Sequence, residues 1–131
     1  LSTWGQAHPQ SIFPQSILLL GSRGFLGQQI KRLLEERYQV KEAPRLDLLT
    51  ASDDDWADWI SGTQIIVNAA GRTMGQLSHL VASNALLVAR VLEVAEQHQL
   101  GVIHLASAAE YGRVSEDHAS LEPDPTQPLS A

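Results

Sequence analysis

The chain has 131 residues, is 44% hydrophobic, carries a formal net charge of −6 and contains no cysteine. That length suits one domain with one core, and the acidic balance offers no general electrostatic footprint for nucleic acid or an anionic membrane surface. Disulfides, thiolate metal sites and cysteine nucleophiles are excluded, which fits a reducing, cytoplasmic setting, and no apolar run looks close to the roughly 20 residues that cross a bilayer.

Residues 1–16 carry Pro9 and Pro14 without a sustained period, which predicts an extended or mobile lead-in before a domain spanning 17–131. The apolar run from Ile17 to Leu20 is then cut by Gly21-Ser22-Arg23-Gly24-Phe25-Leu26-Gly27. Beyond it Leu26, Ile30, Leu33 and Leu34 recur at helical spacing, giving a strand, a tight turn and a helix. Glycines let a backbone approach a ligand, and a helix N-terminus offers unpaired N–H groups and partial positive charge, a combination suited to a diphosphate. The spacing is G-x-x-G-x-x-G where the dinucleotide fingerprint is usually G-x-G-x-x-G, so the glycines alone are a weak signal.

A short strand around Tyr38–Lys41 is predicted next, ending before Pro44. Ser52 and Asp55 have capping-box spacing ahead of Trp56, Trp59 and Ile60, which predicts a short helix closed by Gly62. Asp53-Asp54-Asp55 is read as a first turn favoured by the helix dipole, not as a metal site, and both tryptophans as core. The β-branched run Gln64–Asn68 suits a buried parallel strand. A long helix is predicted from Leu77 to Gln99, with Leu80, Asn84, Leu87, Val88, Val91, Leu92 and Ala95 on one stripe and Gly101 as its stop. Val102–Leu105 forms the last strand, and from Ser115 the chain reads as a proline-rich loop.

This alternation predicts an α/β fold with a parallel sheet covered by helices. Gly21, Lys41, Asn68-Ala69-Ala70-Gly71 and Ser107 then fall at the C-terminal ends of four strands, the edge where open parallel sheets bind ligands. His8, His79, His98, His104 and His118 lack metal-binding spacing, and His104, inside a strand, is read as a hydrogen-bonded structural histidine.

Together these motifs resemble the N-terminal cofactor domain of the extended short-chain dehydrogenase/reductase family, over Ile17 to Ala131. Gly21-x-x-Gly24-Phe25-Leu26-Gly27 resembles its glycine motif, with Leu20 in place of the usual Thr. Asp47-Leu48 resembles the pair beside the adenine, Asn68-Ala69-Ala70-Gly71 the segment along the ribose side, and Asn84 the asparagine of the long helix. Ser107-Ala108-Ala109-Glu110-Tyr111-Gly112 resembles the S-S-x-x-x-Y-G segment, with Ala106 for the first Ser and Ser107 at the catalytic serine's position. The resemblance implies a Rossmann-like doubly wound parallel sheet with NAD(P) held by residues 21–27, Lys41, Asp47, Leu48, residues 68–71 and Asn84. It also implies a small-molecule substrate such as a nucleotide sugar, and a homodimer for a full-length chain.

In that family a Tyr-x-x-x-Lys motif lies just past a segment resembling Thr126–Ala131, so the chain is expected to be truncated before its catalytic helix and substrate lobe. Neither Tyr38 nor Tyr111 has a Lys four residues on. The expected function is NAD(P)-dependent epimerase, dehydratase or reductase chemistry on a hydroxyl or keto group. The rivals are a non-catalytic dinucleotide-binding or sensing module of the same fold and, more remotely, a flavodoxin-like phosphate-binding domain. Arg23 and Lys41 favour the 2′-phosphate of NADP through charge-assisted hydrogen bonds, while Glu42 could bond the ribose of NAD; the balance leans to NADP. Glu116 and His118 fall in the loop that borders substrate in the resembling enzymes.

Overall fold

The computed structural model describes residues 14–44, 48–112 and 119–127, with Ala108 and Ala109 described as backbone alone. Among these the strands are β1 (Ser16–Leu20), β2 (Gln39–Glu42), β3 (Ile65–Asn68) and β4 (Gly101–His104). The helices are α1 (Phe25–Glu35), α2 (Asp53–Ile60), α3 (Leu77–Val81) and α4 (Leu87–His98), with a π turn at Ala82–Leu86 and a 3₁₀ turn at Ala108–Tyr111.

The four strands form one parallel sheet in the order β2-β1-β3-β4. Its centre is β1, whose five residues are all buried, as a strand covered on both faces must be. Alternation divides the side chains between two layers. Leu18, Leu20 and Ile66 face Trp56 and Ile60 of α2 and Leu87, Val91, Val94 and Ala95 of α4. Ile17, Leu19 and Val67 face the other way, against Ile30 and Leu34 of α1. The result is helix, sheet and helix in three layers, as the doubly wound expectation requires. β1 begins at Ser16, one residue inside the expected lead-in, because the Ser16 N–H is taken by the Gln64 side chain at 2.9 Å.

Several local expectations hold. The Ser52–Asp55 capping box is formed in both directions, and the Ser52 hydroxyl and N–H, both donating to Asp55 Oδ2, pull its carboxyl below the usual carboxylate range. Trp56 is 1% exposed and packs edge-on against Trp59 at 5.2 Å. Others are corrected. The helix predicted as one piece from Leu77 to Gln99 is continuous from Leu77 to His98, but it carries a π turn at Ala82–Leu86 that a 3.6-residue period does not predict, and Leu77, Val81 and Leu86 are exposed. Leu92, placed on the inward stripe, is exposed, and Val94 is buried in its stead. The helix stops at Gln99, left-handed at φ 54°, and Gly101 opens β4. Leu77–His98 is also long and apolar enough, by length and composition, to cross a membrane, contrary to the expectation from apolar runs; its second half packs on the sheet. His104 lies within β4, as expected, and is exposed at the end of that edge strand.

Candidate functional site

Because all strands run parallel and in register, with Leu20 level with Asn68 and Asn68 level with His104, their C-terminal ends form one edge. The glycine turn, the connection after β3 and the Ser107 segment all leave from that edge, as the spacing of the motifs implies.

The three glycines divide by role. Gly21, at φ +74°, lies so close to the β3 connection that a Cβ would come within 2.6 Å of the Ala70 nitrogen. A Cβ at Gly27 would overlap the Gly21 carbonyl oxygen outright, so this glycine lets α1 pack down on the turn. Gly24 is different: a Cβ there meets only the Gly21 oxygen, at 3.3 Å, and otherwise open space. Gly24 is also the N-cap of α1, without a side-chain cap and with no acidic residue in the first turn. The N–H groups of Phe25, Leu26 and Gly27 therefore lack intrahelical partners and point outward with the positive end of the helix dipole. Phe25 and Leu26 are exposed at 84% and 56%. An uncapped helix start behind a side-chain-free approach fits a diphosphate.

After β3 the chain is tied by two asparagines. Asn68 is 1% exposed; its Oδ1 accepts the Ala70 N–H at 3.0 Å, while its Nδ2 has no partner. Asn84, inside the π turn, accepts the Arg72 N–H at 2.8 Å and donates to the Arg72 carbonyl at 2.7 Å. Its Oδ1 would stand 3.2 Å from a Cβ on Gly71. Asn84 thus commits its amide to the segment that backs the glycine turn, which makes it a positioning residue. Ala69 and Ala70 lie directly against Gly21 through their backbone atoms.

The end of β2 overturns one expectation. Lys41 does not stand beside the glycine turn: its Nζ donates to the Ser61 carbonyl at 3.0 Å and the Asp58 carbonyl at 3.4 Å, closing the end of α2. The strand runs Gln39–Glu42 where Tyr38–Lys41 was expected, and Lys41 lies on the α2 face of the sheet. The residue that reaches the glycine turn is Glu42. Its Oε2 accepts from Lys31 Nζ at 2.8 Å. Hydrogen bonds from Lys31 and Ser22, with the charges of Lys31 and Arg23, hold its carboxyl below the usual range, and the hydrogen bond to Glu42, with the Glu42 and Glu35 charges, raises Lys31 above its own. Ser22 is buried, and Arg23 lines an open hollow of about 160 Å³ together with Gly21, Ser22, Gly24, Ala43 and Pro44. The leaning toward NADP loses its second cation.

Leu48 is half-buried against the α2–α4 core, and Asp47, Glu116 and His118 lie outside the described residues. Ser107 is exposed three residues beyond β4, its carbonyl accepting the Glu110 N–H at 3.2 Å. The loop it opens is pinned by an approach no motif announced: Gln127 donates its N–H to the Glu110 carbonyl at 2.8 Å, and its own carbonyl fills the place of a Cβ on Gly112. No group of three His, Cys, Asp or Glu able to hold a metal occurs among the described residues.

A parallel sheet with a glycine-lined, uncapped helix start at its strand ends defines a Rossmann-like domain. The chain belongs to the NAD dependent epimerase/dehydratase family, whose model matches residues 17–131. No curated protein matches it by sequence. Solved structures show the same fold. The UDP-glucuronic acid 4-epimerase of Bacillus cereus, in complex with NAD, superposes with a TM-score of 0.73 at 19% identity, over 88% of this chain and 46% of its own. The dTDP-glucose 4,6-dehydratase of Bacillus anthracis, also with NAD, gives 0.77 at 16% identity over 88% and 45%. The uronate dehydrogenase of Agrobacterium tumefaciens gives 0.71 at 16% over 87% and 48%. The chain spans just under half the length of these relatives.

Proposed function

We propose that this chain binds NAD at the Gly21–Gly27 turn and forms the cofactor-binding part of a protein that oxidises and reduces a hydroxyl-bearing carbon of a nucleotide sugar. The observation that carries the binding is the uncapped α1 N-terminus behind Gly24, where a diphosphate replaces missing hydrogen-bond partners without meeting a side chain. The buried, unpartnered Asn68 Nδ2 at the adjoining strand end marks a second place where the edge is unsatisfied. Glu42, an anionic acceptor beside Ser22 and Arg23, supports NAD over NADP, because a carboxylate accepts from a ribose hydroxyl and repels a 2′-phosphate. Bound NAD supplies a hydride acceptor. On the protein side, Ser107 would hold and orient the substrate oxygen, a role its hydroxyl can fill without titrating. The nucleotide-sugar class rests on the names of two of the similar structures, the UDP-glucuronic acid 4-epimerase and the dTDP-glucose 4,6-dehydratase.

Titration with NADH, followed by nicotinamide fluorescence, tests the binding. Saturable binding is expected for the chain, with a loss of at least about tenfold in Gly24→Val, whose branched side chain fills the diphosphate approach. Absence of binding by the folded chain ends this reading.

A further inference from the structure

Resting on the NAD reading above, we propose that Lys31 of α1 is a second determinant of cofactor choice: a latent ligand for a 2′-phosphate, kept out of use by Glu42. Lys31 lies two turns into α1, away from the glycine motif, yet its Nζ is 2.8 Å from Glu42 Oε2 and only 3.7 Å from Glu35. These groups line an open hollow of about 550 Å³ with Ser22, Arg23 and Arg32. The hollow shares Ser22 and Arg23 with the smaller one under the glycine turn, so the two adjoin at the residues that flank the turn.

The charges decide the behaviour. Arg23, Lys31 and Arg32 face Glu35 and Glu42, so the hollow is net positive by one charge even with Glu42 present. An anion is rejected there because Glu42 occupies its donors: the Ser22 hydroxyl and the Lys31 ammonium both point at that carboxylate. Removing the one negative charge raises the net to two and releases two donors toward the ribose. A phosphate on the 2′-oxygen would then accept from Lys31, Ser22 and Arg23 at once, each a charge-assisted bond. Lys31 holds Glu42 in the hydroxyl-accepting position in one state and replaces it in the other.

The test measures NADH and NADPH dissociation constants for the chain, Glu42→Gln, Lys31→Met and the double variant. These positions are partly exposed, with side chains 32% and 38% accessible, so the variants fold; circular dichroism checks this. Glu42→Gln is expected to tighten NADPH by about tenfold, the worth of one charge-assisted bond, and to weaken NADH a few-fold. Adding Lys31→Met should erase the NADPH gain while leaving NADH where Glu42→Gln put it. If the double variant keeps the gain, Arg23 carries the phosphate alone and Lys31 has no such role. If Glu42→Gln leaves the NADPH to NADH ratio unchanged, the masking fails while NAD binding stands. If the unmodified chain binds neither nucleotide, the underlying reading falls and this one falls with it.

Discussion

Two connections meet at the ligand-facing edge of the sheet, and they are held by opposite means. The turn from β1 into α1 closes by the absence of side chains, since a methyl at Gly21 or Gly27 would run into backbone. The connection from β3 into α3 closes by side chains, Asn68 on Ala70 and Asn84 on Arg72. A turn built from missing atoms tolerates no addition, whereas one built from hydrogen bonds gives way by degrees.

That contrast can be broken most forcefully at Gly27. Gly27→Ala places a Cβ on the Gly21 carbonyl, and the expected loss lies at or beyond the upper end of the ~1–3 kcal/mol usual for overpacking. Urea unfolding should show a loss of that size, while Gly24→Ala, whose Cβ makes one tight 3.3 Å contact with the Gly21 oxygen, should lose far less. Equal losses at the two glycines would remove the distinction between packing glycine and approach glycine. Asn84→Ala comes next. It strips both partners from Arg72 at an exposed site, and a cost of about 1–2 kcal/mol is expected, with faster amide exchange confined to residues 69–72. Asn84→Asp keeps the acceptor for the Arg72 N–H and should recover part of that loss.

The smallest effect concerns pH. The folded-state pKa of Glu42 is depressed, so its contribution to stability is present above the ordinary carboxylate range and is lost as pH falls through the folded value. At so exposed a pair the change is slight, and it should vanish in Glu42→Gln when acid titrations of stability are compared. A titration curve indistinguishable between the two proteins from neutral pH downward would show that Lys31 and Glu42 do not pair in solution.

The sequence-legible parts were those encoded by neighbouring residues. The apolar runs gave β1 and β3, the Ser52–Asp55 spacing gave a real capping box, and the glycines gave the turn. What escaped depended on register or on distant partners. The register of β2 on β1 puts Lys41 level with Leu18, on the α2–α4 face, and Glu42 level with Leu19, on the opposite face, and this turned a presumed phosphate ligand into a clasp on α2. The π turn adds a residue to the bonding ring, so a stripe counted at 3.6 residues per turn loses phase across it. Asn84, placed among the cofactor residues by the resemblance alone, bonds the Arg72 backbone twelve residues away, a partner no local pattern announces. The docking of Gln127 on Gly112 had no signal in the sequence beyond the glycine itself.

The strand order has a consequence in time. Every adjacent pair in β2-β1-β3-β4 is parallel, so no hairpin is available to start the sheet, and β1 must hold its place until β3 arrives from 48 residues downstream. Loop closure comes before reward, which favours slow collapse, and although α1 and β2 can cover one face and one edge of β1 early, Leu18 and Leu20 wait for α2 and α4. The same strand that anchors the finished edge is the one whose stickiness the nascent chain must survive.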